Sequence, residues 1–359
     1  MNRILKKINK LAYPEKLFFP PEYIILAVNN ICNLHCKMCD VGVDFKESNF
    51  YDHMMGTHPI NMPLELVKKV IDQMESNFPK AKLGFAFTEP IIYPHLIESL
   101  NYANSKGIFT SMSTNGSKLP KLAKELCASG LNELYVSLDG TPEIHNSIRG
   151  NKNSFRWAID GINEVLACNG KKPSISIQCA ITQWNIGHLV GFVELFKILP
   201  LKQIGFMHYT FVTDNMAKVH NDILKGIYPA LSSNVSELNI EQMDMKKLHE
   251  EIMQLMVAKY PFPIIFSPKI KDIEKLKEYY FQPEKKIGKT CNDVFSSIMI
   301  KSDGEVIPAH SRCYQVNAGN IYQNNLSEIW NSAPLVQFRK TLIKHGGLLP
   351  ACSRCCSAY

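Results

Sequence analysis

The sequence of 359 residues is long enough for about two domains of roughly 150 residues each. With 45% hydrophobic and 20% charged residues it can bury a large core, as an ordinary soluble globular chain does. Its formal charge of +7 comes from scattered Lys and Arg without the long runs that indicate nucleic acid, and no stretch of about 20 apolar residues exists to span a membrane. Eleven cysteines are many, yet residues 1–16 lack the apolar core of a signal peptide. Seven of the eleven fall in two clusters of metal-like spacing, which favours a reducing cytoplasm and metal ligation over disulfides.

Residues 1–22 form an N-terminal segment. Its first 16 residues suit a short basic helix with Ile4, Leu5, Ile8 and Leu11 on one face. Such a face either touches a membrane surface or, as is commoner, packs against its own domain. Only 31 residues precede Cys32, so no separate peptide-recognition domain is expected before it.

From Tyr23 a strand-then-helix rhythm sets in. Strands are expected at 23–29, 82–87, 109–114, 133–138, 174–181 and 203–209, and helices near 63–77, 94–106, 119–129, 154–169 and 186–199. That alternation implies parallel pairing through right-handed crossovers, with chemistry at the C-terminal strand ends. After the first strand, residues 29–42 read N-N-I-C-N-L-H-C-K-M-C-D-V-G. Cys32, Cys36 and Cys39 must curl a loop around one object. Zinc wants a fourth protein ligand, and the next cysteine is as far off as Cys127. A [4Fe–4S] cluster can use three thiolates and leave one iron open.

Further motifs follow at the strand ends. Phe87-Thr88-Glu89-Pro90 ends the second, Ser113-Thr114-Asn115-Gly116 the third, and Ser137-Leu138-Asp139-Gly140 the fourth, with His145 and Arg149-Gly150 beyond. Gln178, Cys179, Thr182 and Asn185 mark the fifth strand; His208, Tyr209, Thr210, Thr213 and His220 mark the sixth. Any of these can face a substrate or be an ordinary polar residue. The stretch 216–286 breaks the rhythm and reads as a helical bridge, with helices at about 239–259 and 268–280. From 287 onward come a hairpin at 298–307, Gly319-Asn320-Ile321, the 326–330 helix, and cysteines at 291, 313, 352, 355 and 356.

Taken together these motifs resemble the radical S-adenosylmethionine (radical SAM) superfamily, in members with a C-terminal SPASM/twitch auxiliary-cluster domain. The resemblance implies an α/β fold: a partial (β/α)6 TIM-like barrel over 23–215, the bridge over 216–286, and a small α+β iron–sulfur domain over 287–359. It implies two [4Fe–4S] clusters and S-adenosylmethionine (SAM) as cofactors. Cys32, Cys36 and Cys39 would hold the first cluster, whose open iron takes the amino and carboxylate groups of SAM. Glu89 would meet the SAM amino group, Ser113, Thr114 and Asn115 its ribose, and Ser137 and Arg149 its carboxylate, while Asp139 fixes the loop. Phe87 and Thr88 depart from the family's G-G-E-P pattern, which has glycine at both positions.

Cys291, Cys313, Cys352 and Cys355 would hold the auxiliary cluster. Where the family often has a cysteine, this chain has Ala309, so His310 is a possible substitute for Cys313; four cysteines also satisfy a structural zinc site. Cys356 is left spare and is a possible hydrogen donor, with Cys127, Cys168 and Cys179 weaker candidates. The expected activity is hydrogen abstraction by a 5′-deoxyadenosyl radical, for oxidation or epimerisation of a sugar, aminosugar or related small molecule. The alternative is maturation of a peptide or protein side chain; a non-enzymatic zinc protein is a remote third. A flavodoxin or ferredoxin is the expected reductant, and a basic surface suits an acidic one.

Overall fold

A computed structural model describes residues 3–13, 15–56, 58–310 and 313–358. Its one sheet comprises β1 (Tyr23–Leu26), β2 (Lys82–Phe85), β3 (Thr110–Thr114), β4 (Glu133–Ser137), β5 (Ser174–Ile181), β6 (Gln203–His208), β7 (Ile264–Ser267), β8 (Ser297–Ile300), β9 (Glu305–Pro308) and β10 (Gly319–Asn320). The strand order is β10-β9-β8-β1-β2-β3-β4-β5-β6-β7. Every pair from β8 through β1 to β7 is parallel, and β8–β9 and β9–β10 are antiparallel.

The helices are α1 (Arg3–Ala12), α2 (Asn49–Met55), α3 (Leu64–Asn77), α4 (Leu96–Ser105), α5 (Leu119–Ala128), α6 (Pro142–Arg149), α7 (Ser154–Ala167), α8 (Leu189–Glu194), α9 (Asp214–Leu224), α10 (Met245–Val257), α11 (Ile273–Phe281), α12 (Leu326–Trp330) and α13 (Ala333–Lys344). The crossover helices bury one stripe each, as Leu66, Val67, Val70, Ile71 and Met74 do on α3.

The expected α/β barrel is present, with two additions at its edges. The bridge is not purely helical: β7 continues the parallel sheet beyond β6. Three apolar residues and a serine between prolines carry no period that tells strand from helix, which hid this element. At the other edge β8 pairs parallel with β1, so the C-terminal region is built onto the barrel sheet. One hydrophobic cluster runs from Ile24 and Leu26 to Phe338 and Leu342 across both regions.

The N-terminal segment departs from expectation in a specific way. Lys6 pairs with Glu22 at 2.6 Å, and Lys10 reaches the Cys291 carbonyl at 3.2 Å over the Phe295 ring. Asn9 is buried and donates to the Lys16 carbonyl at 2.8 Å. The polar face of α1 therefore contacts the protein, and the apolar stripe expected to pack inward is exposed.

Candidate active site

The loop after β1 carries Cys32, Cys36 and Cys39. It closes on itself through Cys39 N–H to the Cys36 carbonyl at 3.1 Å and Val43 N–H to the Cys39 carbonyl at 3.0 Å. Gly42 permits this curl, because a Cβ there would lie 2.5 Å from both N and O of Cys36. The end of α6 braces the outside of the loop: Lys37 N–H donates to the Ile148 carbonyl at 2.9 Å. Burial pushes the Cys32 thiol up to about 11 and the Cys36 thiol up to about 12. Without metal these are neutral thiols, and a metal that binds them must displace their protons.

Glu89 is 1% exposed. Its carboxylate accepts from Thr114 Oγ1 at 2.6 Å, Asn115 N–H at 2.7 Å and Ile91 N–H at 3.0 Å. It thus caps the 3₁₀ turn Pro90–Ile92 and joins the ends of β2 and β3. Burial lifts its pKa to about 6 against those hydrogen bonds. Asn115 also donates to Asn33 Oδ1 at 2.9 Å, inside the cysteine loop. Phe87, just before this turn, has φ 81°, a left-handed conformation natural to the glycine it replaces. Its ring stacks on His310, with centroids 6.2 Å apart.

At the end of β4, Arg149 donates through Nε to Asp139 Oδ2 at 2.6 Å, and its Nη1 lies 3.7 Å from Cys36 Sγ. Asp139 also accepts from Ala180 N–H at 3.0 Å, and Asn185 donates to its carbonyl at 2.9 Å. Ser113 and Ser137 stand half-buried on the same strand ends. The structure therefore gathers Glu89, Thr114, Asn115 and Arg149 around the cysteine loop, at the C-terminal edge of the sheet.

In the C-terminal region, Cys291, Cys313, Cys352 and Cys355 line a single cavity with His310, Tyr314, Phe338 and Leu342. Four thiols around one enclosed volume have the donor set for a cubane cluster and for zinc alike. Tyr314 Oη lies 3.2 Å from Cys352 Sγ. His310 shares this wall: its Nε2 lies 3.4 Å from Cys355 Sγ and 3.1 Å from Ser357 Oγ, and Ser357 in turn donates to Asp293. The possible ligand atoms of His310, Cys355 and Cys356 lie within 4.8 Å of one another.

Arg354, fully buried, donates to the carbonyls of Glu278, Tyr279, Gln282 and Lys285. A guanidinium on carbonyls at the end of α11 and in the turn after it suits the negative end of the helix dipole. It pins the turn that carries Cys352 and Cys355. Nothing in the sequence distinguished Arg354 from a surface charge.

Beside the C-terminal cysteine group lies a chamber lined by Asn49, Phe50, Thr210, Phe211, Val212, Leu231, Ser233, Tyr314 and Cys355, among others. The loop closing one side is tied to the first cysteine loop, since Asp40 accepts from Ser233 Oγ at 2.6 Å and from Asn234 N–H at 2.7 Å.

Of the candidates on the fifth and sixth strands, Thr210 lines this chamber. Cys179, Thr182 and Asn185 support the Asp139 loop instead. His208 is buried against Tyr280 Oη at 2.9 Å, and burial lowers its pKa to about 3. Tyr209 donates to the Met38 carbonyl, Thr213 caps α9, and His220 lies 2.8 Å from the Tyr228 carbonyl. Gln178 is half-buried on β5, and Cys127 and Cys168 lie together on the outer helices.

The radical SAM superfamily profile matches residues 26–196, and that of the SPASM iron-sulfur cluster-binding domain matches residues 291–356. Fe-coproporphyrin III synthase of Methanosarcina barkeri is 26% identical over 221 residues, covering 61% of this chain and 50% of that protein. Mycofactocin maturase MftC of Mycobacterium ulcerans is 28% identical over 166 residues, 46% of this chain and 41% of its own. These matches span half or less of the length of both relatives. The crystal structure of Streptococcus suis SuiB bound to precursor peptide SuiA shares the fold, with a TM-score of 0.62 at 14% identity over 97% of this chain and 74% of that one. With one profile falling on each of the two cysteine groups, the chain belongs to the radical SAM superfamily, as an enzyme that uses SAM and [4Fe–4S] clusters and carries a C-terminal SPASM domain.

Proposed function

We propose that this enzyme is a maturase that takes a hydrogen atom from a carbon of a peptide or protein side chain. Cys32, Cys36 and Cys39 hold the cluster that binds SAM, and Cys291, Cys313, Cys352 and Cys355 hold one auxiliary [4Fe–4S] cluster. When bound, the first cluster and SAM supply a 5′-deoxyadenosyl radical by one-electron reductive cleavage. The electron comes from a flavodoxin or ferredoxin, and the free cysteines throughout the chain support a reducing, cytoplasmic setting.

The chain's own residues position and enclose. Glu89, ionised above about pH 6, faces the SAM ammonium, and Ser113, Thr114 and Asn115 stand by the ribose. Arg149 and Ser137 take the SAM carboxylate, with Asp139 holding Arg149 in place. His310, held through Ser357, orients Cys355 beside the cavity that Cys313 completes. Cys356 does not line the chamber; it packs beside Cys355, which argues against a hydrogen-donor role.

The observation that carries the peptide reading is the chamber wall. Phe50, Phe211, Val212, Ala230, Leu231 and Ala351 make much of it apolar, and Arg354 beside them spends its donors on backbone carbonyls of α11 and the turn after it. A side chain of a peptide suits such a wall better than a polyol, which needs a hydrogen-bond partner for each hydroxyl. The likeness to a maturase supports the same choice over the sugar or aminosugar substrate that the sequence favoured.

The test incubates reconstituted enzyme, SAM and reductant with the short peptides encoded beside its gene, and follows peptide mass and 5′-deoxyadenosine. A SAM-dependent mass change or deuterium uptake on a peptide is expected. A change confined to sugar nucleotides or aminosugars would overturn the peptide reading.

A further inference from the structure

The helix α1 sits on the protein with its faces reversed. Lys6 and Lys10 make the contacts with the body, and buried Asn9 on the same face ties the helix to the chain that follows it through the Lys16 carbonyl. Leu5, Ile8 and Leu11 are 53%, 51% and 56% exposed, on the side away from those contacts. Tyr13 and Phe18 extend the apolar surface at 55% and 63% exposed, their rings edge to face at 6.5 Å. A ten-residue helix gains most of its stability by burying an apolar stripe, and this one leaves the stripe in water.

Charge identifies what covers it. Residues 1–18 hold five basic side chains, at 3, 6, 7, 10 and 16, against the single acid Glu15. A second copy of a chain with formal charge +7 would bring the same positive charge to the contact. An acidic redox protein would match the lysines and leave the aliphatic side chains without apolar partners. An anionic bilayer matches both, because apolar side chains enter the headgroup–acyl boundary while flanking lysines stay among lipid phosphates.

We propose that α1 docks the enzyme on the surface of an anionic lipid membrane. Leu5, Ile8 and Leu11 insert, Lys7 and Lys16 meet the headgroups, and the contacts of Lys6 and Lys10 with the body fix how the enzyme faces the lipid. No helix among the described residues is long and apolar enough to cross the membrane, so the attachment is peripheral and reversible.

The experiment sediments the full, cluster-loaded chain with vesicles of phosphatidylcholine alone or mixed with phosphatidylglycerol. Binding at least about tenfold tighter to the mixed vesicles is expected, weakening as salt is raised. The charge-neutral double variant Leu5→Ser, Ile8→Ser should bind about tenfold more weakly, while cleaving SAM as the parent does, which shows that it folds. Failure of the parent to bind either vesicle would overturn the proposal, as would equal binding to both. Undiminished binding by the variant would mean adsorption through net charge, against the docking helix. A concentration-dependent dimer that the variant abolishes would assign the stripe to a second copy instead.

Discussion

Arg149 touches two partners that the chain order keeps far apart: Asp139 Oδ2 at 2.6 Å and Cys36 Sγ at 3.7 Å. One buried cation thus ties the end of the fourth barrel strand to the cysteine loop. Burial opposes its charge, but the Asp139 carboxylate more than offsets this, so its pKa lies above the usual arginine range.

Removing either partner of this pair leaves the other charge buried alone, at a cost of about 3–5 kcal/mol. Asp139→Asn is expected to lower the thermal midpoint of the metal-free protein and to weaken SAM binding at least about tenfold, with iron at the first site retained. Arg149→Lys should behave alike, since an ammonium lacks the fork that spans both partners. Equilibrium SAM binding and thermal unfolding check this; parent-like values in both variants would contradict it.

Glu89 gives a pH signature. Burial raises its pKa from the ordinary 4.5 to about 6, so the folded state holds the proton more tightly than the unfolded one. Its contribution to stability is full below pH 4.5 and is lost as pH rises to about 6, roughly 2 kcal/mol in all. Metal-free protein should therefore lose that increment over this window, and Glu89→Gln should remove the slope. SAM affinity should move the opposite way, rising with pH through 6 as the carboxylate ionises. Denaturant midpoints across the window, with and without the substitution, test the sign.

Phe87 keeps a glycine conformation, with φ 81°, and offsets the strain by stacking on His310. Phe87→Ala loses the stack and keeps the strain, whereas Phe87→Gly loses both. The glycine variant should be the more stable of the two by about 1 kcal/mol, read as denaturant midpoints. The reverse order would remove the strain argument.

The barrel was legible because its strand ends carry chemistry at regular intervals, from Glu89 through Asn115 to Arg149. The sequence placed those residues around one loop, and the geometry brings them there. It missed β7, whose Ile264–Ser267 run has no period of its own, and the register by which β8 joins β1, since a pairing between residues 23 and 297 leaves no local trace. It also missed Arg354, whose role depends on α11 ending beside it, and the reversed seating of α1, because periodicity reports that a helix has two faces and not which one meets the protein. The proposed peptide substrate was not the first reading of the sequence for a similar reason: the chamber wall is assembled from five separate stretches of chain.

Gly42 tests the cysteine loop without touching a thiol. A methyl group there would meet Cys36 N and O at 2.5 Å, so Gly42→Ala must open the curl. The variant is expected to fold, since the barrel core lies elsewhere, while losing the iron of the first site. Circular dichroism like the parent's with full iron content would contradict this.

The most direct measurement of the whole account is iron per chain after anaerobic reconstitution of three proteins: the parent, Cys32/Cys36/Cys39→Ala, and Cys291/Cys313/Cys352/Cys355→Ala. Two four-iron clusters predict about eight irons in the parent and about four in each variant. SAM cleavage should be abolished in the first variant. If the first variant kept all its iron and still produced 5′-deoxyadenosine, or if the second lost none, the two-site assignment would be wrong.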